Sequence, residues 1–145
     1  MLPETPNSYS VVVQSSPSAI DETCGWILSK LEANNFSAED IFSVHLALQE
    51  AFFNAIIHGN EMDLEKPVKI DYSIGPDVVT ISMTDEGKGF DPDAVPDPRR
   101  PENLYKTDGR GLLLIRSYMD VVEFNQRGNR VSMIKYKGGP PAAPN

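Results

Sequence analysis

The chain has 145 residues, of which 40% are hydrophobic and 23% are charged, and this composition is typical of a single globular domain with a proper core. Its formal net charge of -8 argues against nucleic acid as the main ligand, because proteins bind phosphate backbones with clustered Lys and Arg. Cys24 is the only cysteine, and there is neither a signal-peptide pattern nor an apolar stretch of the roughly 20 residues that span a membrane, so we expect a cytoplasmic protein.

A strand and a helix are predicted to follow a flexible tail at residues 1–7. In residues 8–14 apolar and polar side chains alternate, as they do in a half-buried strand. Pro17 suits the first turn of a helix, and apolar residues then recur at helical spacing until Asn34 and Asn35 end the pattern.

The second and longest helix is predicted to run from Ser37 to Gly59. Ser37 with Asp40 three residues later resembles a capping box, and glycine is a common residue at a helix C-terminus. A helix turns by about 100° per residue, so polar residues at four-residue spacing share one edge of it. Three such residues lie beside the apolar stripe of this helix: Glu50, Asn54 and His58.

This polar edge is either a reactive site or an ordinary solvated face of the helix. Burying polar side chains costs free energy unless a partner satisfies them. Asn54 offers a neutral oxygen ligand that suits Mg²⁺, and Glu50, one turn earlier, could accept a proton from a hydroxyl group or a water molecule. The spacing alone leaves both interpretations open.

A hairpin with an acidic residue at its end is predicted next. Residues 67–74 and 77–85 alternate apolar and polar side chains and are separated by turn-forming residues. Asp85 continues the buried face of the second strand, and Gly87 and Gly89 allow the following backbone to approach a ligand. A carboxylate on a pocket floor can accept a hydrogen bond from an amino group such as that of adenine. The alternative is an ordinary turn that begins with Asp.

Residues 86–108 are predicted to form a long loop, since they contain four prolines and little periodicity. A loop of this length inside a compact domain is usually a functional lid or a disordered segment.

A third helix is predicted to start after Gly109 and Gly111 and to end near Met119. The N–H groups at a helix N-terminus suit phosphate, and the apolar run at residues 112–115 is expected to anchor the helix in the core. Arg116 lies within two turns of the helix start, where it could reach a phosphate or remain a surface arginine.

Two final strands, VVEFNQ and NRVSMIKYK, are predicted to form a hairpin around Arg127 and Gly128, and residues 138–145 a flexible tail. The element order is therefore β-α-α-β-β-lid-α-β-β. This order predicts an α+β domain over residues 8–137, with helices on one face of a mixed sheet.

Three stretches of the chain together resemble the GHKL ATPase superfamily. EAFFNAIIHGN is similar to its N box, DEGKGFD to its G1 box and GRGLLL to its G2 box, and the resemblance covers about residues 8–137. GFDPDAVPDP and GRGLLLIRSYMD are similar to the branch of anti-sigma-factor serine/threonine kinases. The resemblance implies the GHKL/Bergerat ATP-binding fold: a two-layer α/β sandwich with helices on one face of a mixed, mostly antiparallel sheet, and a short ATP lid.

The resemblance also implies a role for each matched residue. Glu50 is expected to be the catalytic base, Asn54 to coordinate Mg²⁺ bridging the ATP phosphates, and Asp85 to accept the adenine amino hydrogen. Gly87 and Gly89 are expected to let the loop approach the nucleotide. The resemblance assigns further nucleotide contacts to Phe90, Gly109, Arg110, Gly111, Leu112 and Arg116.

By this resemblance, the protein is expected to phosphorylate a STAS-domain anti-anti-sigma protein and so to control release of a sigma factor. A homodimer is also implied, whereas direct contact with nucleic acid or a membrane is not expected. Two other functions stay open: a non-catalytic ATP-sensing module that binds proteins, and a histidine-kinase catalytic fragment. The intact Glu50 argues against the first function, and the short lid argues against the second.

Overall fold

The structure, a computed structural model, describes residues 8–87 and 108–140. Most of the predicted lid and of both predicted tails lies outside these described residues. Within the two ranges, none of the helices combines the length and apolar character needed to cross a membrane. The elements follow the predicted order: β1 Ser8–Val13, α1 Pro17–Ala33, α2 Ala38–Phe53, a π-helical turn Asn54–Gly59, β2 Val68–Ile74, β3 Val78–Thr84, α3 Asp108–Tyr118, β4 Val121–Phe124 and β5 Arg130–Tyr136.

The strands form one sheet in the order β1-β2-β3-β5-β4, and the helices cover one of its faces. The two predicted hairpins are present, β2 with β3 and β4 with β5. Every pairing of the described strands is antiparallel, so this sheet is more uniform than the mixed, mostly antiparallel one that the sequence predicts. The two-layer α/β sandwich is confirmed.

The core lies between the helices and the inner face of the sheet. Alternate residues of β2 and β3 point inward, as the sequence pattern predicts, and the polar residues between them face outward. In α3 the predicted apolar anchor is only partly correct, because a helix presents successive residues to different sides. Ile115 is buried, whereas Leu113 is half-buried and Leu114 is exposed.

Both of the first two helices begin with a serine cap, of which the one at Ser37 was predicted. The Ser16 hydroxyl accepts a hydrogen bond from the Ala19 N–H at 3.3 Å, and the Ser37 hydroxyl accepts one from the Asp40 N–H at 3.0 Å. The Asp40 carboxylate accepts a hydrogen bond from Gly138 N–H at 2.9 Å. The C-terminal tail predicted from residue 138 therefore begins with a residue that is held against α2.

The second helix ends in a π-helical turn, which corrects the prediction of one regular helix from Ser37 to Gly59. α2 stops at Phe53 and has 16 residues against 17 in α1, so it is not the longest α-helix. In the π-helical turn, hydrogen bonds reach five residues back, as from Asn60 N–H to the Ala55 carbonyl at 2.8 Å.

Candidate functional site

A small cavity lies between the end of α2 and the sheet. Its walls come from α2 and the π-helical turn on one side, from the end of β3 and the β4–β5 hairpin on the other, and from Ile115 of α3. Most of the lining is apolar, including Met83 and Val131. Its polar side chains include those of Asn54, Asp85 and Asn129. The lining has the composition of a small-molecule site, and the volume of about 30 Å³ is only a small part of the roughly 300–1,000 Å³ of a complete ligand pocket.

Asp85 lies on the floor of this cavity in close contact with two glycines. A β-carbon on Gly59 would overlap the Asp85 carboxylate, and one on Gly87 would overlap the Gly59 carbonyl group. The Gly87 N–H donates a hydrogen bond of 2.8 Å to Asp85 Oδ1. Both glycines are therefore required by space, and together they fix the carboxylate in one position.

Burial dominates the electrostatics of Asp85. Removal of its carboxyl group from water raises its pKa above the ordinary value, because burial disfavours the charged form. The hydrogen bond from Gly87 N–H and the positive charge of Arg127 lower the pKa and offset part of this rise. The result is an acceptor at the cavity floor that holds its proton to a higher pH than an ordinary aspartate.

The β4–β5 hairpin holds the main chain of Asp85 from the opposite side. Asp85 N–H donates to the Asn129 carbonyl at 2.9 Å, and Asn129 Nδ2 donates to the Asp85 carbonyl at 3.2 Å. The Asn125 side chain shapes the turn, since its Oδ1 accepts hydrogen bonds from the N–H groups of Gly128, Asn129 and Arg130. Sequence reasoning gave this hairpin no part in the site, although Asn and Gly near Arg127 are a signal for a turn.

Asn54 and Glu50 occupy the end of the second helix, where the geometry changes from α to π. Both side chains are half-buried, and Asn54 lines the cavity. The Asn54 N–H donates to the carbonyl groups of Glu50 and Ala51. Within the described residues Glu50 is not part of the cavity lining and lies one turn before Asn54 on the same helix.

His58 differs in exposure from the other two members of the predicted polar edge. Its side chain is exposed, whereas those of Glu50 and Asn54 are half-buried. The His58 ring meets the ring of Phe53 edge-on, with centroids 6.2 Å apart and planes at 71°. The sharing of one edge by all three side chains stays a prediction.

The remaining predicted site residues lie at the lid and in α3. Gly89 and Phe90 lie outside the described residues. Arg116 is exposed in the last turn of α3 and is not part of the cavity lining in the described structure. The other four predicted nucleotide-contacting residues lie in the first turns of α3, although the two glycines were predicted to precede this helix. Only the backbone of these four is described: Gly109, Arg110, Gly111 and Leu112.

The cavity has few side chains that could ligate a metal ion. Within residues 8–87 and 108–140, no group of three or more His, Cys, Asp or Glu side chains could hold a metal ion. Asn54 offers an uncharged amide oxygen in the lining, which fits the way Mg²⁺ binds through few protein ligands and the phosphates of its substrate.

Comparison with known proteins decides the family. Residues 13–135 match the histidine kinase-like ATPase domain. The chain belongs to this family. The histidine kinase-like ATPase chain is 32% identical over 108 residues to the serine-protein kinase RsbW of Oceanobacillus iheyensis, covering 70% of this chain and 68% of that protein. It is 34% identical over 104 residues to the anti-sigma F factor of Clostridium botulinum strain Eklund 17B, covering 67% and 71%.

A third relative of this histidine kinase-like ATPase has the same name as the first. The serine-protein kinase RsbW of Staphylococcus epidermidis is 32% identical over 108 residues, covering 69% of this chain and 68% of that protein. The predicted resemblance to the GHKL superfamily and to its anti-sigma-kinase branch is confirmed, and so is the use of ATP.

Proposed function

We propose that the protein is an ATP-dependent serine/threonine protein kinase that also acts as an anti-sigma factor. One observation carries the proposal: the Asp85 carboxylate is fixed against Gly59 and Gly87 on the floor of a cavity lined by Asn54. The relatives named serine-protein kinase and anti-sigma F factor support the two halves of the proposal.

Asp85 recognises the base of ATP. Its ionised carboxylate accepts a hydrogen bond from the 6-amino group of adenine, and a fixed carboxylate cannot pair equally well with the 6-oxo group of another purine. Gly59 lies against one side of the carboxylate, and the Gly87 N–H holds its Oδ1 at 2.8 Å. Gly89 and Phe90 complete the base end of the site in this proposal.

Asn54 and the start of α3 serve the phosphate end. The Asn54 amide oxygen would hold Mg²⁺, which would supply positive charge to offset that of the ATP phosphates. The backbone at the N-terminus of α3 suits phosphate, because its N–H groups and dipole favour negative charge. The proposal assigns further phosphate and lid contacts to Gly109, Arg110, Gly111, Leu112 and Arg116.

Glu50 is the catalytic base in this proposal. It accepts the proton of a serine or threonine hydroxyl group as that oxygen bonds to the γ-phosphorus of ATP. The bond between the γ-phosphorus and the β–γ bridging oxygen breaks, and ADP leaves. Phosphoryl transfer needs mainly positioning and charge stabilisation, so one base beside a nucleotide that is correctly held is sufficient. The position of Glu50 one turn before Asn54 on α2 supports this assignment, because it places base and metal ligand on neighbouring turns.

The partners follow from the two activities. The phosphate acceptor is a STAS-domain anti-anti-sigma protein, which in its unphosphorylated form binds the kinase and frees the sigma factor. Phosphorylation weakens that complex and lets the kinase hold the sigma factor again. The kinase acts as a homodimer. The acidic surface implied by the net charge of -8 supports a protein partner rather than DNA.

Phosphate transfer from labelled ATP tests the proposal. The purified protein is incubated with γ-labelled ATP, Mg²⁺ and an extract of host cells, and the labelled product is then treated with acid. A single small protein with an acid-stable label is the expected result, and mass spectrometry of that band identifies the partner.

Two other results would contradict the proposed activity. An acid-labile label would indicate a histidine-kinase fragment. No label on an added, unphosphorylated antagonist, together with measurable ATP binding, would indicate a nucleotide-sensing module without catalysis.

A further inference from the structure

Asn60 is a fully buried polar residue directly after the π-helical turn, with 0% of its surface exposed. Its Nδ2 donates to the carbonyl groups of Lys66 at 3.1 Å and Pro67 at 3.3 Å. Its Oδ1 accepts a hydrogen bond of 2.8 Å from the N–H of Glu86. The roles proposed above do not use this side chain, yet its amide joins two segments that are distant in the chain.

The first of these segments is the loop between the π-helical turn and β2. Glu61 and Met62 have φ values of 53° and 63°, a left-handed conformation that non-glycine residues rarely adopt. Such a conformation persists only where the surroundings determine it strongly. Asn60 supplies that constraint, because its amide binds the far end of the loop at Lys66 and Pro67.

The second segment is the turn that carries Asp85. The Glu86 N–H belongs to the peptide group that follows Asp85, and the next N–H, that of Gly87, donates to the Asp85 carboxylate. The peptide group before Asp85 is held separately by Asn129. Asn60 therefore fixes the N–H side of the peptide group between Asp85 and Glu86, while Asn129 Nδ2 holds the carbonyl side of the same group at 3.2 Å.

The neighbour of Asn60 in the chain strengthens this connection. Gly59 lies against the Asp85 carboxylate so closely that it leaves no space for a β-carbon. A shift of Asn60 would therefore move both the glycine wall and the Glu86 peptide. The contact of Gly59 and the hydrogen bond of Glu86, both in or against the turn that carries Asp85, thus depend on the buried Asn60 side chain.

We propose that Asn60 is a positioning residue for base recognition, which fixes the Asp85 carboxylate through the Glu86 N–H and so sets the preference for a 6-amino purine over a 6-oxo purine. The inference rests on the proposed role of Asp85 as the adenine acceptor. Asn60 acts through the turn and does not touch the nucleotide.

Binding of ATP and of inosine triphosphate to the full chain tests the inference. The two ligands differ at purine position 6, so the ratio of their dissociation constants reports the fixed acceptor. The wild-type protein is expected to prefer ATP by about tenfold or more, the scale of one hydrogen bond to a charged group. Asp85→Asn is expected to remove or invert this preference, because an amide N–H can donate to the 6-oxo group.

Three variants separate positioning from stability. Asn60→Ala removes all three hydrogen bonds and is expected to lower the ATP preference by at least about threefold. Asn60→Asp retains an acceptor for the Glu86 N–H but sets a buried carboxylate oxygen against the carbonyl oxygens of Lys66 and Pro67, so we expect a lower free energy of unfolding. The fraction that is folded at pH 8 is expected to keep the wild-type preference within about twofold. Ser37→Ala removes a helix cap far from the turn and controls for general loss of stability.

The outcomes distinguish the inference from the proposed function. If Asp85→Asn keeps the wild-type preference, the assignment of Asp85 fails. If Asp85→Asn loses the preference and Asn60→Ala keeps it, the assignment of Asn60 fails. If Asn60→Ala does not fold, Asn60→Asp decides, since loss of the preference in that variant overturns the route through Glu86. An equal loss in Ser37→Ala would also overturn it.

Discussion

The carboxylate of Asp85 lies directly against the main chain of Gly59, far from it in sequence. The neighbouring residues Asn60 and Glu86 are also in contact, and 26 positions separate them in the chain. The contact between Asp85 and Gly59 joins the end of the second helix to the end of β3. It positions the acceptor on the floor of the cavity, because Gly59 closes one side of the carboxylate and the Gly87 N–H holds its Oδ1.

Gly59→Ala is expected to weaken ATP binding by at least about tenfold, because the new β-carbon would displace the carboxylate from its hydrogen-bonding position. The dissociation constant of ATP, measured by calorimetry or fluorescence, checks this expectation. Gly25→Ala is the matched control. Gly25 is exposed in α1 with nothing within 4 Å of its added β-carbon, so ATP binding should be unchanged. The free energy of unfolding of that control should rise by about 0.5–1 kcal/mol.

ATP affinity is expected to fall in mildly acidic solution. Burial raises the pKa of Asp85, so the ionised acceptor is present above this raised pKa and is lost as the pH falls through it. The decline should begin at a higher pH than the ordinary aspartate pKa of about 3.9 would give. A titration of the ATP dissociation constant against pH measures this, and an unchanged profile in Asp85→Asn would refute the assignment.

Arg127→Gln is expected to move the same decline to higher pH. The positive charge of Arg127 lowers the pKa of Asp85, so its removal leaves the effect of burial less compensated. Lys30→Gln removes one positive charge from α1, where the ammonium group lies over the Tyr9 ring, and should leave the profile in place. The two variants should differ less at high salt in the pH at which ATP affinity declines, because Arg127 is exposed and salt screens its positive charge.

Asn54→Ala is expected to weaken ATP binding only when Mg²⁺ is present. The loss should be about 10-fold to 100-fold, the scale typical of disturbed metal sites, because the variant lacks the amide oxygen proposed to hold the ion. ADP measured with a chelator should bind almost as well as it does to the wild-type protein. Gln49→Ala changes an exposed neighbour on the same helix and serves as the control. Equal losses with and without Mg²⁺ would remove Asn54 from the metal site.

The fold was predictable because its signals are local. The alternation in β2 and β3 and the cap at Ser37 each specify an element within a few residues. The π-helical turn was not predictable, since a shift of hydrogen bonds by one residue leaves the apolar spacing almost unaltered. Gly59 was expected only to end a helix, and its contact with Asp85 depends on tertiary packing.

The site was predictable where its residues form motifs and not where they act through the backbone. Asp85 could be placed on the buried side at a strand end from alternation alone. Asn60 and Asn129 could not be assigned to the site from the sequence. Each binds main-chain groups far along the chain, and neither lies in a distinctive sequence pattern. The β4–β5 hairpin was predicted as an element of the fold but not as part of the site, because it contacts Asp85 through hydrogen bonds to the Asp85 main chain.

Phosphate transfer to the antagonist by Glu50→Gln tests whether Glu50 is the catalytic base, with Glu32→Gln on the exposed face of α1 as the matched control. The same single-turnover assay and an ATP-binding titration are applied to both variants. We expect Glu50→Gln to bind Mg-ATP within about twofold of the wild-type protein and to transfer phosphate about 10²–10⁴-fold more slowly. Glu32→Gln should match the wild-type protein in both assays. Transfer by Glu50→Gln at the wild-type rate would contradict the proposed catalytic base.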